Sequence, residues 1–253
     1  MLTTFCLRLA CGMIGSLALL SSKEVNPRFF RTHYLVALGL VAVAAVAADS
    51  RHLGGFWLDL GGAALFACLG SIIWSLAGNP WSWLIWGATT TCLFAALTSR
   101  SLAITGIQEP RLLGFDVLLG DLTSAALLGT AFTAMLLGHS YLIAPGMSLA
   151  PLMRLLTTLF VATGLRMILA GWGLWSWTAS HSLVNWEDET VLWLPVRWGL
   201  GFGGPLVLGW MARSAAKIRS TQSATGILYV VVIFTFLGEL TSQLLLANTG
   251  YLL

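Results

Sequence analysis

The chain has 253 residues, of which 57% are hydrophobic and only 9% are charged, with a formal net charge of +3. Soluble domains carry about 25% charged residues, so this composition excludes a water-soluble globule. The apolar residues form long blocks, and about 20 such residues cross a bilayer as a helix. A transmembrane β-barrel would instead show short alternating segments. The sequence therefore predicts an all-α, polytopic transmembrane bundle that forms one domain over residues 1–253.

Eight spans are predicted, and the breaks between them have local causes. Asn26-Pro27 precedes the second span, Gly54-Gly55 the third, and Gly78-Asn79-Pro80 the fourth. An alternative interpretation makes the third and fourth segments one re-entrant hairpin. The predicted helices are Leu2–Leu20, His33–Asp49, Phe56–Ala77, Trp81–Leu97, Phe115–Gly138, Pro151–Trp177, Asp188–Ala212 and Gly226–Ala247.

The distribution of Lys and Arg predicts the orientation of the chain. The loops opposite the termini, with their helix ends, contain Lys23, Arg28, Arg31, Arg154, Arg213, Lys217 and Arg219, whereas the terminal side contains Arg8, Arg51, Arg100 and Arg111. The richer side is expected to be cytoplasmic, so both termini are expected to be periplasmic, in the inner (cytoplasmic) membrane. No basic region precedes the first segment, which we interpret as a retained helix rather than a signal peptide.

Four charged residues fall inside the predicted spans: Asp121, Arg166, Arg197 and Glu239. Ionisable groups deep in lipid are expensive and are usually functional or paired. Because neighbouring helices run in opposite directions, Arg166, Arg197 and Glu239 fall at a similar depth, with Asp121 closer to the terminal side. Two cations and two anions would balance each other there. The sequence predicts either an ion-pair lock or a pocket for proton relay or for an anionic or carbonyl-bearing ligand.

A second candidate site lies at the ends of the second and fifth spans. His33 and His139 are expected at the cytoplasmic interface, with Tyr141 beside His139. A b-type haem needs two imidazoles from facing helices at one depth, so haem b or a quinone is a candidate cofactor. The alternative is an interfacial cap with a tyrosine anchor. No metal site is predicted, and the cysteines are expected to be small buried hydrophobic residues, at Cys6, Cys11, Cys68 and Cys92.

The stretch Gly199-Leu200-Gly201-Phe202-Gly203-Gly204 formally matches a dinucleotide-binding fingerprint. It follows no strand and lies in an apolar span, which argues against a nucleotide. We instead predict that Gly199 and Gly203 allow a close helix approach, and that Pro205 kinks the helix.

Three functions fit these features. The first is a membrane subunit of a multi-protein respiratory or photosynthetic electron-transfer complex, not catalytic alone, with other membrane subunits as partners. A periplasmic carrier is a further candidate partner, at the acidic loop 178–189. The second is a small-solute or ion transporter or channel that uses the Arg/Glu/Asp cluster. The third is a lipid-modifying enzyme, which lacks a recognisable nucleophile. Nucleic acid is not an expected partner of so apolar a chain.

Overall fold

The computed structural model describes residues 1–48, 54–76, 81–108, 114–144, 146–180 and 189–253. All regular structure in these ranges is helical, which confirms the predicted all-α bundle. The elements are α1 (Leu2–Ser16, extended by a 3-10 turn, Leu17–Leu19), α2 (Pro27–Val46), α3 (Gly54–Ser75), α4 (Ser82–Gln108), α5 (Gly114–Ile143), α6 (Ala150–Ser180), α7 (Glu189–Pro195), a π-helical segment (Val196–Gly203), α8 (Gly204–Lys217) and α9 (Thr221–Thr249).

Local chemistry explains several helix ends. The side chain of Asn26 accepts a hydrogen bond from the backbone N–H of Arg28 at 2.9 Å, and Pro27 occupies the first turn of α2. Both features suit a helix start, because the first N–H groups have no partner within the helix. At the other end of the chain α9 stops at Gly250, whose φ of 75° is left-handed and favours glycine.

Seven helices in the described ranges are long and apolar enough to cross a membrane, with α7, the π-helical segment and α8 forming one of them. The exception among the predicted eight is α4. It has 27 residues, but it carries Thr89-Thr90-Thr91 and Ser99-Arg100-Ser101, which make it more polar. The chain is therefore a multi-pass membrane protein.

The helices run back and forth, so their ends gather at two opposite faces of the bundle. At one face, which we call the terminal face, Tyr251 contacts the end of α6 through a 3.0 Å hydrogen bond to Ser180. At the opposite face, the loop face, Arg154 at the start of α6 pairs with Glu24 in the loop after α1.

The centre of the bundle is the crossing of α1 and α5. Gly12 and Gly129 meet there backbone to backbone, and a Cβ atom on either glycine would overlap the other helix. Only glycine permits this approach, so α1 is largely enclosed by its neighbours. The outer surface is apolar, as lipid contact requires, and it exposes residues such as Val46 and Ile168.

The four cysteines are free in the structure. Cys6 and Cys11 are buried and Cys92 is half-buried, as expected for small apolar residues. Cys68 is exposed, so the prediction that it is buried was wrong. The sequence places Cys68 in an apolar helix, but it does not specify which side of that helix faces the interior of the bundle.

Candidate functional site

Glu239 of α9 is the hub of a buried charged group. Its Oε1 accepts hydrogen bonds from Arg197 Nη1 at 2.9 Å and from Arg166 Nε at 3.2 Å. Its Oε2 accepts from Ser124 Oγ at 2.5 Å and from Arg166 Nη2 at 3.3 Å. The three charged side chains are at most 1% exposed. We call Arg166, Arg197 and Glu239 the arginine–glutamate centre; the structure brings these three residues together at one depth.

Asp121 takes a different partner. Its Oδ1 lies 2.6 Å from Arg8 Nη2 and accepts from Arg8 Nε at 2.8 Å, while its Oδ2 accepts from Ser101. From the sequence, Arg8 is expected on the terminal side of the membrane and is not among the predicted site residues. Helix geometry indicates that the two residues meet at the same depth, because Arg8 and Asp121 each lie about two helical turns from the terminal-face ends of α1 and α5.

The Arg8–Asp121 pair and the arginine–glutamate centre are neighbours, because α5 carries both Asp121 and Ser124, the residue that donates to Glu239. Asp121 and Ser124 are three residues apart, so they lie on one face of that helix. Arg8, Asp121 and the arginine–glutamate centre together carry three positive and two negative charges, a net charge of +1. Transferring an unbalanced charge into a low-dielectric interior is costly, so this excess is energetically significant.

Arg197 is the least satisfied member of the centre. Its Nε and Nη2 have no hydrogen-bond acceptor among the described residues, although the residue is fully buried. Its guanidinium carbon lies 4.1 Å from the centroid of the Phe202 ring, which supplies a cation–π contact. A buried donor without a partner is rare and requires an explanation, and a bound ligand is one.

The π-helical segment positions Arg197 against α9. Gly201 approaches Gly238 so closely that a Cβ atom on Gly201 would lie 2.7 Å from the Gly238 Cα atom. The predicted glycines were therefore the wrong ones. A Cβ atom on Gly199 would meet nothing within 4 Å, and one on Gly203 would meet only its own segment. The sequence pattern assumed regular α-helical periodicity, whereas π-helical turns present a different face.

Two prolines, Pro195 and Pro205, flank the π-helical segment, and a kink is predicted from the sequence at the second of them. Pro205 lies in the first turn of α8, a position where its missing N–H is tolerated. Pro195 lies inside α7, immediately before the π-helical segment, and was not singled out from the sequence. Proline and π-helical turns are both recognised causes of helix irregularity, so the irregularity begins ahead of Arg197.

The last residues of the chain close the centre on the terminal side. Ser242 accepts a hydrogen bond from Arg166 Nη2 at 3.1 Å and donates to the backbone oxygen of Leu253 at 2.9 Å. Leu252 packs against Gly173, where a Cβ atom would overlap its backbone, and against Gly120, where a Cβ atom would lie 3.2 Å from its side chain. On α9, the Gln243 amide is buried without a hydrogen-bond partner among the described residues, one turn beyond Glu239.

The histidine site has a different character. His33 is fully buried, with Nδ1 2.9 Å from the Phe29 oxygen and its ring 4.3 Å from the Phe29 ring. His139 is exposed, and Tyr141 is buried and donates to the Ser148 oxygen at 2.5 Å. A haem iron needs open space at the ligating nitrogen, and His33 has no accessible surface. The hydrogen bond of Tyr141 agrees with an interfacial anchor.

Two further predictions concern metals and loops. Within the described ranges no group of three or more His, Cys, Asp or Glu side chains is placed to hold a metal ion. Most of the acidic loop at 178–189 lies outside the described residues.

Comparison with protein-family models, curated proteins and solved structures finds no match to this chain.

Proposed function

We propose that this protein is a membrane transporter or channel for a small anion, and that Arg197 is its anion-binding residue. The observation that carries the proposal is the pair of buried nitrogens on Arg197, Nε and Nη2, from which no described residue accepts a hydrogen bond. A guanidinium offers its donors in a rigid fork, and that fork matches carboxylates and oxyanions.

The charge of the site supports an anion over a cation. The five charged side chains around Glu239 and Asp121 sum to +1. One bound monovalent anion would make the site neutral, whereas a cation would double the excess. The desolvation cost of a buried charge falls when the charge is neutralised, so this arithmetic favours a small monovalent anion.

The architecture around Arg197 supports movement of that anion. π-helical turns within longer helices occur frequently at functional sites. Here the segment that carries Arg197 crosses α9 through Gly201 and Gly238, a contact without intervening side chains. This close approach holds the segment that carries Arg197 directly against α9, the helix that carries Glu239.

The electron-transfer hypothesis stays a prediction, and no observation favours it over transport. The closed environment of His33 argues against a haem ligated there, although a complex subunit need not hold its own cofactor. Partner subunits and a periplasmic carrier belong to that hypothesis. Inner-membrane placement with both termini periplasmic is a separate prediction from the Lys and Arg distribution, and it also stays a prediction.

Transport is tested in liposomes that contain the purified full-length chain and an anion-sensitive fluorophore. We expect wild-type protein to dissipate gradients of chloride, nitrate or formate, and Arg197→Gln to lose at least one of these fluxes. Arg213→Gln is the matched control, because Arg213 binds Thr157 at the protein exterior. Equal fluxes for the two variants, or wild-type flux no greater than that of protein-free liposomes, would contradict the proposal.

A further inference from the structure

A second potential site lies at the loop face, away from the arginine–glutamate centre. A cavity of about 310 Å³ opens where the ends of α1, α2, α3, α4 and α6 converge. Its volume is at the lower end of the range of small-molecule sites, about 300–1,000 Å³. The space therefore suits a compact head group rather than a whole lipid or a long-chain cofactor.

The cavity has a polar rim on one side. The loop after α1 contributes Ser21, Ser22 and Lys23, and α6 contributes Arg154. Lys23 is exposed and makes no ion pair among the described residues. Its ammonium group is thus free to contact an anion that enters the cavity.

Arg154 organises this rim. Its Nη1 and Nη2 each lie 3.0 Å from an oxygen of Glu24, and Nη1 also donates to the Leu19 oxygen at 3.3 Å. These contacts fasten the loop after α1 to the start of α6. Because Glu24 balances the charge of Arg154, the net positive charge at the rim comes from Lys23.

Another part of the cavity lining is aromatic. Trp74 stacks on Phe30 with their ring centroids 4.2 Å apart, and Trp86 donates from Nε1 to the Ile14 oxygen at 2.8 Å. Trp83 also lines the cavity and is 63% exposed. Tryptophans at helix ends favour the level of the lipid head groups, where an apolar ring meets a polar environment.

We propose that this cavity binds the phosphate-bearing head group of an anionic phospholipid, with Lys23 contacting the phosphate and the tryptophans contacting the glycerol and the first acyl carbons. The cationic rim, the aromatic wall, the size of the cavity and its position at the helix ends all match that one ligand. The inference does not depend on anion transport.

The test measures lipid retained by the full-length chain in detergent, using native mass spectrometry. Short-chain phosphatidylglycerol, phosphatidylcholine of the same chain length, and inorganic phosphate are the probes. We expect phosphatidylglycerol to bind best, and Lys23→Gln to weaken it about fivefold, the effect of one lysine near an anionic head group. Lys217→Gln is the matched control, since Lys217 is exposed at the same face but does not line the cavity.

A second variant, Ala18→Phe, fills the cavity without changing any charge, because Ala18 lines it. We expect this variant to lower phosphatidylglycerol binding while remaining monodisperse. Equal losses in the two lysine variants would show a diffuse charge effect and overturn the proposal. Unchanged binding in Ala18→Phe would also overturn it, as would inorganic phosphate binding as tightly as the lipid.

Discussion

Arg197 and Glu239 form a direct ion pair, with Nη1 2.9 Å from Oε1, and neither side chain has any exposed surface. The pair joins the π-helical segment to α9. Because the same carboxylate also accepts from Arg166, Glu239 neutralises charge that belongs to two other helices. The stability of the bundle and the proposed anion site therefore depend on the same carboxylate.

Replacing Glu239 with Gln is expected to destabilise the protein by about 3–5 kcal/mol, because two buried guanidinium groups lose their counter-charge. Thermal unfolding in mild detergent measures the effect. Glu24→Gln is the control, since the pair of Glu24 with Arg154 is 28% and 47% exposed and is expected to contribute about 1 kcal/mol or less. Similar unfolding temperatures for the two variants would show that the buried carboxylate is not a structural hub.

Asp121 and Arg8 are expected to behave as a coupled pair. Asp121→Asn and Arg8→Gln should each destabilise strongly, since each leaves one buried charge without its partner. The double variant should be less destabilised than the sum of the two single variants, because it leaves no unpaired charge. A double-mutant cycle on unfolding free energies measures this coupling, and strict additivity would contradict the ion pair.

Gly238→Ala is expected to destabilise the crossing of α9 with the π-helical segment by about 1–3 kcal/mol, the cost of overpacking. The added Cβ atom would overlap the backbone of Gly201. Gly226→Ala on the same helix is the control, because a Cβ atom there meets nothing within 4 Å. It should be neutral or slightly stabilising, since alanine favours helices more than glycine does. Thermal unfolding compares the two, and equal effects would exclude the close crossing.

Purified protein is expected to show no Soret absorbance band, because His33 offers no accessible nitrogen to a haem iron. An absorbance spectrum of protein prepared in mild detergent is the measurement, and His33→Ala is the comparison. A Soret band in wild type that disappears in His33→Ala would restore haem ligation. Cytochrome subunits that co-purify with the protein would favour the electron-transfer hypothesis even without such a band.

Much of the candidate site was predictable from helix geometry. A rise of about 1.5 Å per residue and alternating helix directions are enough to place Arg166, Arg197 and Glu239 at one depth. The same arithmetic applies to Arg8 and Asp121, although Arg8 enters the sequence-based prediction only as one of the terminal-side cations. Depth alone does not specify partners, since it leaves the rotation of each helix about its axis undetermined.

The glycines show where periodicity was not enough. Gly199 and Gly203 have the spacing typical of an α-helical contact, yet Gly201 makes the contact. The regular α-helical periodicity behind that prediction does not hold across the π-helical segment Val196–Gly203.

Composition by itself determined that this chain is a multi-pass helical membrane protein, because so few charges and such long apolar blocks have no other stable arrangement in water or lipid. Only the tertiary structure decided which buried charges meet, because pairing depends on the rotation and local winding of helices that are far apart in sequence. Apolar residues cover a helix almost uniformly in lipid, so the hydrophobic pattern carries little information about which side of a helix faces its neighbour.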